Sequence, residues 1–282
     1  MRSVRKGFQL FSLKGVSILD QLCFEELLLR TTEQNCVVVN SHINSNSIVL
    51  GFSGKPLELL NIAKVKRDNL QVIRRFTGGG TVIVDTDTVF ASLIMNSSSV
   101  ACPPYPREIM KWTEDNVYQP VFQALMDADP THSGSNQVDL IDPLCSCRIW
   151  LCCSLTFGFN DYVWGDRKIG GNAQTITKGR WVHHTSFLWK FDPFRMGYLK
   201  LPSKRPAYRA DRAHQDFLTE ISPYLPLTRR DPAHFHQAID TQLAAFFAAQ
   251  PAEQLQQQEG GVVKPTDKIL AEFAQGSSSE VM

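Results

Sequence analysis

The apolar positions along the chain change period several times, and each change marks an element. Leu19, Leu22, Cys23 and Leu27 recur on one face of a helical wheel behind Ser17 and Asp20, either of which can cap a helix, so a helix is predicted to run to about Arg30. Cys36–Val39 is a β-branched run and reads as a strand. A turn rich in Asn and Ser follows from Asn40 to Asn46, with Ser47–Gly51 as the expected hairpin partner. Pro56–Ala63 predicts a short helix with proline near its start. Gln71–Arg75 is a strand feeding three glycines, and Thr81–Val84 and Thr88–Met95 are strands joined by a turn at Asp85–Asp87. Within Pro106–Met126, Met110, Val117, Tyr118, Val121, Phe122 and Leu125 lie at helical spacing, the stripe of a helix that packs on a core. Asp127–Asp142 is polar and turn-rich, and Pro143–Leu155 is cysteine-heavy without a clean period. Phe157–Trp164, Asp166–Ile169, Gly171–Thr177 and Trp181–Trp189 then read as successive antiparallel strands. Helical patterns return at Tyr208–Ile221 and Pro232–Ala249, and Gln254–Met282 has the polar composition of a mobile tail.

Strands and helices in mixed order, with hairpins at the centre, predict an α+β fold: a mainly antiparallel sheet core flanked by helices, with the helices on one side. Across 282 residues, hydrophobic side chains make up 43% and charged ones 20%, ample material for a core. The net charge of +1 offers no basic excess for nucleic acid. The longest apolar run, Ile149–Phe159, is broken by Ser154, Thr156 and Gly158 and falls short of the roughly 18 residues a bilayer needs. Neither a nucleic-acid nor a membrane role is expected. The seven cysteines are odd in number and no secretory signal opens the chain, which favours a reduced intracellular compartment, mitochondrial or cytoplasmic. Before Asp20 the chain carries Arg2, Arg5, Lys6 and Lys14 and no acid; this is weakly like an import segment, though it suits the opening of a fold as well. Cys145, Cys147, Cys152 and Cys153 lack the paired spacing of a zinc site.

Two short motifs carry the chemistry. In Arg74-Arg75-Phe76-Thr77-Gly78-Gly79-Gly80-Thr81-Val82, a glycine triplet between strands bares backbone N–H groups, and the arginines add bidentate donors for phosphate or carboxylate. No Gly-Lys-Ser/Thr follows and no G-x-G-x-x-G opens a helix, so neither common nucleotide fingerprint applies. In Arg167-Lys168-Ile169-Gly170-Gly171-Asn172-Ala173, a lysine sits just before two glycines, where an ammonium can meet a phosphoryl or carboxylate oxygen.

Together the motifs resemble the lipoate-protein ligase family, within the wider group of biotin and lipoate ligases and octanoyltransferases. The family's arginine–serine–triple-glycine–alanine–valine signature is similar to Arg75–Val82, with Thr77 for serine and Thr81 for alanine. Its lysine–glycine–alanine signature is matched by Lys168, Gly170 and Ala173. Asn160-Asp161 and His183-His184-Thr185-Ser186-Phe187-Leu188 are similar too, and Gly15–Leu19 and Leu199–Pro202 look like plant-type members. The resemblance implies a catalytic domain over residues 1–203, followed by a helical extension at 204–250 and a polar tail at 251–282.

It also implies a two-step reaction: ATP activates lipoate or octanoate to an acyl-adenylate, and a lysine on a carrier domain then takes the acyl group. On this resemblance Lys168 is catalytic, contacting carboxylate or α-phosphate. Arg75, Thr77, Gly78, Gly79, Gly80, Thr81, Val82, Ile83, Gly170 and Ala173 hold ATP or the adenylate, and Asp161 is a candidate for Mg²⁺. Asn160, His183 and His184 stand behind them; the histidines are adjacent on a presumed strand, so at most one faces the pocket. Leu50, Phe76, Val82 and Phe187 are candidate walls for the acyl chain. The implied partners are lipoyl domains of 2-oxoacid dehydrogenases or the glycine cleavage H protein, with Lys200–Arg212 as a basic docking strip.

Two features depart from the family. The histidine often found near Val84 is absent, and Pro130–Leu155 matches no family strand. Two other readings stay open: an ATP-independent octanoyltransferase with Cys153 as its thioester nucleophile, and an inactive carrier-binding relative.

Overall fold

The computed structural model describes residues 2–5, 7–127, 161–201 and 211–250. The chain opens with paired strands, β1 (Arg2–Arg5) and β2 (Phe8–Leu13), and then turns through helix α1 (Ile18–Thr31), whose N-terminus is capped by Ser17. β3 (Cys36–Asn40) follows. β4 (Ser47–Leu50) leads to α2 (Pro56–Leu59), α3 (Ile62–Arg67), β5 (Gln71–Arg74) and β6 (Val82–Val84). The long strand β7 (Thr88–Asn96) precedes α4 (Pro106–Thr113), a π turn (Glu114–Tyr118) and α5 (Gln119–Asp127), which together form the single long helix that the periodicity predicts. Beyond residue 160 come β8 (Asp161–Trp164), β9 (Arg167–Thr177), β10 (Arg180–Leu188), α6 (His214–Phe217) and α7 (Pro232–Ala248).

Seven strands form one sheet in the order β1-β2-β3-β7-β10-β9-β8, antiparallel at every pairing except β2 with β3. β5-β4-β6 form a second, smaller sheet. Alternation along the large sheet sorts its two faces. Val37 and Val39, with Val89, Ala91, Leu93 and Met95, join Trp181 and Phe187 under α4, α5 and α7. Val38, Ile94 and Val182 pack on Phe24 and Leu28 of α1. The α+β class with a mainly antiparallel core holds, but helices cover both faces rather than one.

Several local readings are corrected. Ser47–Leu50 is not a hairpin partner of β3: it pairs with β5 and β6, while the segment between them crosses to the start of α1, with Val16 bridging Ile43. Pro56–Ala63 is two helices, broken where Leu60 bridges Leu199 and Asn61 caps α3. Asp166–Ile169 and Gly171–Thr177 are one strand, β9, with a register slip opposite Tyr162 and Val163. In Tyr208–Ile221 the described part is helical only over α6, because the chain then extends to bridge Lys168 through Leu218. The buried face of α1 is Ile18, Gln21, Leu22, Phe24, Glu25, Leu28 and Leu29, rotated from the expected stripe, and Cys23 is exposed. The cysteine-rich stretch and the polar tail lie outside the described residues. No helix among the described residues is long and apolar enough to cross a membrane.

α7 belongs to the large core: Phe235 is fully buried and its ring meets Phe122, Phe187 and Trp189 at 5.3–5.6 Å between centroids. Replacing Phe235 with alanine is expected to cost about 3–5 kcal/mol of unfolding free energy, measurable as a lowered urea midpoint for the whole sheet.

Candidate active site

The end of β4, the end of β5 and the glycine triplet converge on one point. The Phe52 N–H donates to the Thr77 carbonyl (3.0 Å) and the Arg75 N–H to the Leu50 carbonyl (3.0 Å). At the closest approach, a methyl group on Gly51 would lie 2.1 Å from the Gly79 carbonyl oxygen, a position only glycine can hold. Gly79 has φ +108°, and a side chain there would also strike the Arg75 guanidinium.

The two arginines clamp this junction from opposite sides. Arg74 donates to the Phe52 and Gly54 carbonyls at 2.8 and 2.7 Å. Arg75, only 4% exposed, donates to Gly78, Gly80 and Val49 carbonyls at 3.0, 2.7 and 3.4 Å. Burial pushes its pKa down to about 10, so it stays charged at neutral pH.

Lys168 lies on β9, a diagonal neighbour of Asp161 across the β8–β9 pair, and its ammonium meets the Asp161 carboxylate at 2.6 Å. Room for it comes from Gly171, where a methyl would crowd the lysine Nζ at 3.2 Å; at Gly170 a methyl would meet the Phe187 ring at 2.9 Å.

The adjacent histidines of β10 face opposite ways. His183 lies on the face toward α4 and α5, bonded to Tyr162 and Gln174, and burial, with a smaller contribution from neighbouring His184, pushes its pKa down to about 3. His184 joins Thr77 Oγ1 at 3.1 Å to Glu25 of α1 at 3.1 Å. Its pKa falls through burial, against the opposing pull of Glu25.

A cavity of about 740 Å³ opens among these groups, within the usual range for small-molecule sites. Its lining includes Lys168, Asp161, Arg75, Gly79, Gly80 and Thr81, together with Gly170, Ala173 and His184. Its apolar wall is Leu59, Val82, Ile83, Phe90, Leu188, Met196, Leu199, Phe217 and Leu218. Of the four expected wall residues only Val82 lies there. Leu50, Phe76 and Phe187 belong to other packing clusters. Thr77 is buried behind the wall, Gly78 and His183 lie off it, and Asn160 and Cys153 fall outside the described residues.

Among the described residues no group of three or more His, Cys, Asp or Glu side chains could hold a metal by itself. Asp161 supplies one carboxylate, which fits Mg²⁺ only if phosphate oxygens and water complete its shell.

A family model for the lipoyl protein ligase A/B catalytic domain matches residues 17–247. The chain belongs to this family. It is 29% identical over 220 residues to a Plasmodium falciparum (isolate 3D7) protein named inactive lipoate–protein ligase 2, covering 73% of this chain and 54% of that one. It is 28% identical over 206 residues to lipoate-protein ligase A of Bdellovibrio bacteriovorus, covering 72% and 52%. The chain thus spans about half the length of the curated relatives it matches. In fold it is similar to a lipoate-protein ligase A crystallised with ATP, at TM-score 0.62 and 16% identity over 98% of this chain and 97% of that one. It is also similar to a chain of the bipartite lipoate protein ligase system of Thermoplasma acidophilum, at TM-score 0.64 and 17% identity over 98% and 95%.

Several lining residues are not signalled by the motifs: Ser53–Lys55 and Glu58 before β5, and His214, Phe217 and Leu218 from a segment distant in sequence. Glu25 is missed as well, since nothing in the sequence pattern of its helix marks it. Of the expected docking strip, Lys200 donates to the Leu57 carbonyl at 2.8 Å and Arg212 pairs with Asp166 at 2.7 Å, while Lys204, Arg205 and Arg209 lie outside the described residues.

Two outcomes follow for this family member. Gly51→Ala is expected to cost about 1–3 kcal/mol, the usual scale of forced overpacking, read from urea unfolding. His183 is held neutral in the fold, whereas an unfolded histidine titrates near 6.5. The unfolded chain therefore binds the extra proton first, so this contribution is whole above about pH 6.5 and is lost as pH falls toward 3. The stability gap between the wild type and His183→Gln should narrow from pH 7.5 to pH 4 in urea titrations; a constant gap would contradict it.

Proposed function

We propose that this chain is an ATP-dependent lipoate-protein ligase. The observation that carries the reading is Lys168 in a cavity that also has many apolar lining residues, beside a glycine loop whose carbonyls are held by Arg75. In the first step a carboxylate oxygen of lipoate or octanoate attacks the α-phosphorus of ATP and pyrophosphate leaves. In the second the ε-amine of a carrier lysine attacks the acyl carbon, AMP leaves and the amine loses a proton. Lys168 stabilises charge on the carboxylate and α-phosphate oxygens, so its work is electrostatic and positional. Asp161 fixes the ammonium before substrate arrives. Mg²⁺, when bound, would supply further charge neutralisation on the phosphates next to Asp161. The acyl chain lies along Phe90, Leu188, Met196 and Leu199. The acceptors are lipoyl domains of 2-oxoacid dehydrogenases or the glycine cleavage H protein.

A second reading, an inactive carrier-binding relative, is favoured by one observation: the donors of Arg75 already serve loop carbonyls, which leaves Lys168 to carry most of the phosphate charge. The deciding assay is ATP–pyrophosphate exchange with Mg²⁺ and lipoate, octanoate or biotin. Exchange that depends on lipoate or octanoate supports the ligase, and Lys168→Ala should lower it roughly 100- to 1000-fold. No exchange with any acid from folded protein would shift the assignment to the inactive relative or to thioester transfer through Cys153.

A further inference from the structure

The polar string behind the glycine loop has a direction, and it begins on a helix that contributes no residue to the cavity lining. Glu25 is fully buried and takes three contacts in which it accepts: Gln21 Nε2 at 2.7 Å and Ser92 Oγ at 2.6 Å on one oxygen, His184 Nδ1 at 3.1 Å on the other. Because the carboxylate accepts, the His184 proton sits on Nδ1. Burial holds the imidazole neutral, so its Nε2 keeps a lone pair and must accept from the Thr77 hydroxyl, 3.1 Å away. The Phe90 ring, edge-on to the imidazole at 5.1 Å between centroids, limits its rotation.

The rest of the loop is tied by backbone bonds and by the Arg75 side chain on the Gly78 and Gly80 carbonyls. Thr77 O accepts from Phe52 N at 3.0 Å and Gly78 N donates to Gln174 O at 3.3 Å. Thr77 Oγ1 is the side-chain tie immediately before the triplet. We propose that Glu25 is a positioning residue for nucleotide binding: through His184 it fixes the Thr77 hydroxyl as a donor, and so sets the conformation from which Gly79 and Gly80 reach the cavity. This deepens the ligase reading by assigning a control element to its nucleotide loop.

The alternative is that the three side chains simply fill space, and the two roles respond differently to substitution. Valine matches threonine in volume but lacks the hydroxyl, whereas serine keeps the hydroxyl and loses the methyl. In Glu25→Gln the new amide can donate as well as accept, so the histidine can move its proton to Nε2 and reverse the bond to Thr77.

The test measures equilibrium binding of ATP and the ¹⁵N signals of the His184 ring in the full chain, with thermal melts confirming that each variant folds. The expected results are an Nδ1-protonated His184 in the wild type and a shift toward Nε2 protonation in Glu25→Gln. ATP should bind about tenfold more weakly in Glu25→Gln and in Thr77→Val, the scale of one lost directional hydrogen bond, with Thr77→Ser recovering to within about twofold. The double variant should bind no more weakly than Thr77→Val alone. Wild-type affinity in Thr77→Val, or an Nε2-protonated His184 in the wild type, would overturn the proposal. If the wild type binds no ATP, the ligase reading fails on its own, and amide exchange at Gly78–Gly80 decides the positioning role instead. Exchange should quicken in Glu25→Gln and Thr77→Val and not in Thr77→Ser, and unchanged exchange in the first two would refute it.

Discussion

The near-collision of Gly51 with the Gly79 carbonyl is where the two sheets of this protein settle their relation to the cavity. A backbone loop that turns N–H groups toward a ligand must turn carbonyls away from it, because each peptide unit is planar and trans. Those carbonyls are costly to bury without partners. Here the Gly78 and Gly80 carbonyls point at Arg75, so the N–H groups of Gly79 and Thr81, across the same peptide planes, point away from the guanidinium. Arg75 is the counterweight that lets the loop present amides, and the small sheet exists in the right place because β4 and β5 deliver Gly51 and Arg75 to that loop together.

This changes the meaning of the paired arginines. In sequence they stand before a glycine triplet and read as free forks for phosphate. In the fold, adjacent residues at the end of β5 turn to opposite sides, and each fork is spent on a different loop, Arg74 on residues 51–54 and Arg75 on residues 78–80. The motif was legible because glycine triplets and clustered cations are local signals. The partners were not, because a carbonyl acceptor carries no residue identity and these ones come from segments joined only by tertiary packing. The same limit explains β4. Its apolar run marked it as a strand, but its pairing depends on β5 and β6, which lie later in the chain. Strongly periodic elements such as β7, β10 and α7 needed no such information and stand where the pattern placed them.

α1 shows a subtler loss. Its start and end were readable from Ser17 and the apolar spacing, yet its buried face was misjudged because Gln21 and Glu25 count as polar and Cys23 as apolar. Glu26 behaves as its composition suggests, pairing with Arg30 at the surface. Glu25, one position earlier, is fully enclosed. A buried carboxylate is tolerated only when its acceptors are filled, and the residues that fill them come from α1, β7 and β10. Only a fold that brings those three elements together can make a core residue of Glu25.

The polar groups around the cavity therefore fall into two layers with different electrostatic duties. Lys168 and Asp161 face the cavity as a pair, so an arriving carboxylate or phosphate competes with Asp161 for the ammonium rather than meeting a bare cation. Arg75 and His184, nearly buried at the lining, and Glu25 and Thr77 behind it hold geometry. Burial depresses the His184 pKa, Glu25 pulls it the other way and the charge of Arg75 adds a smaller downward push, so it is burial that keeps the imidazole neutral. A neutral, singly protonated imidazole is the one state that can accept from a hydroxyl on one side while donating to a carboxylate on the other. The burial of this layer is what preserves that state: water at the ring would stabilise its charged form and offer Thr77 other partners, and the loop would lose its fixed point.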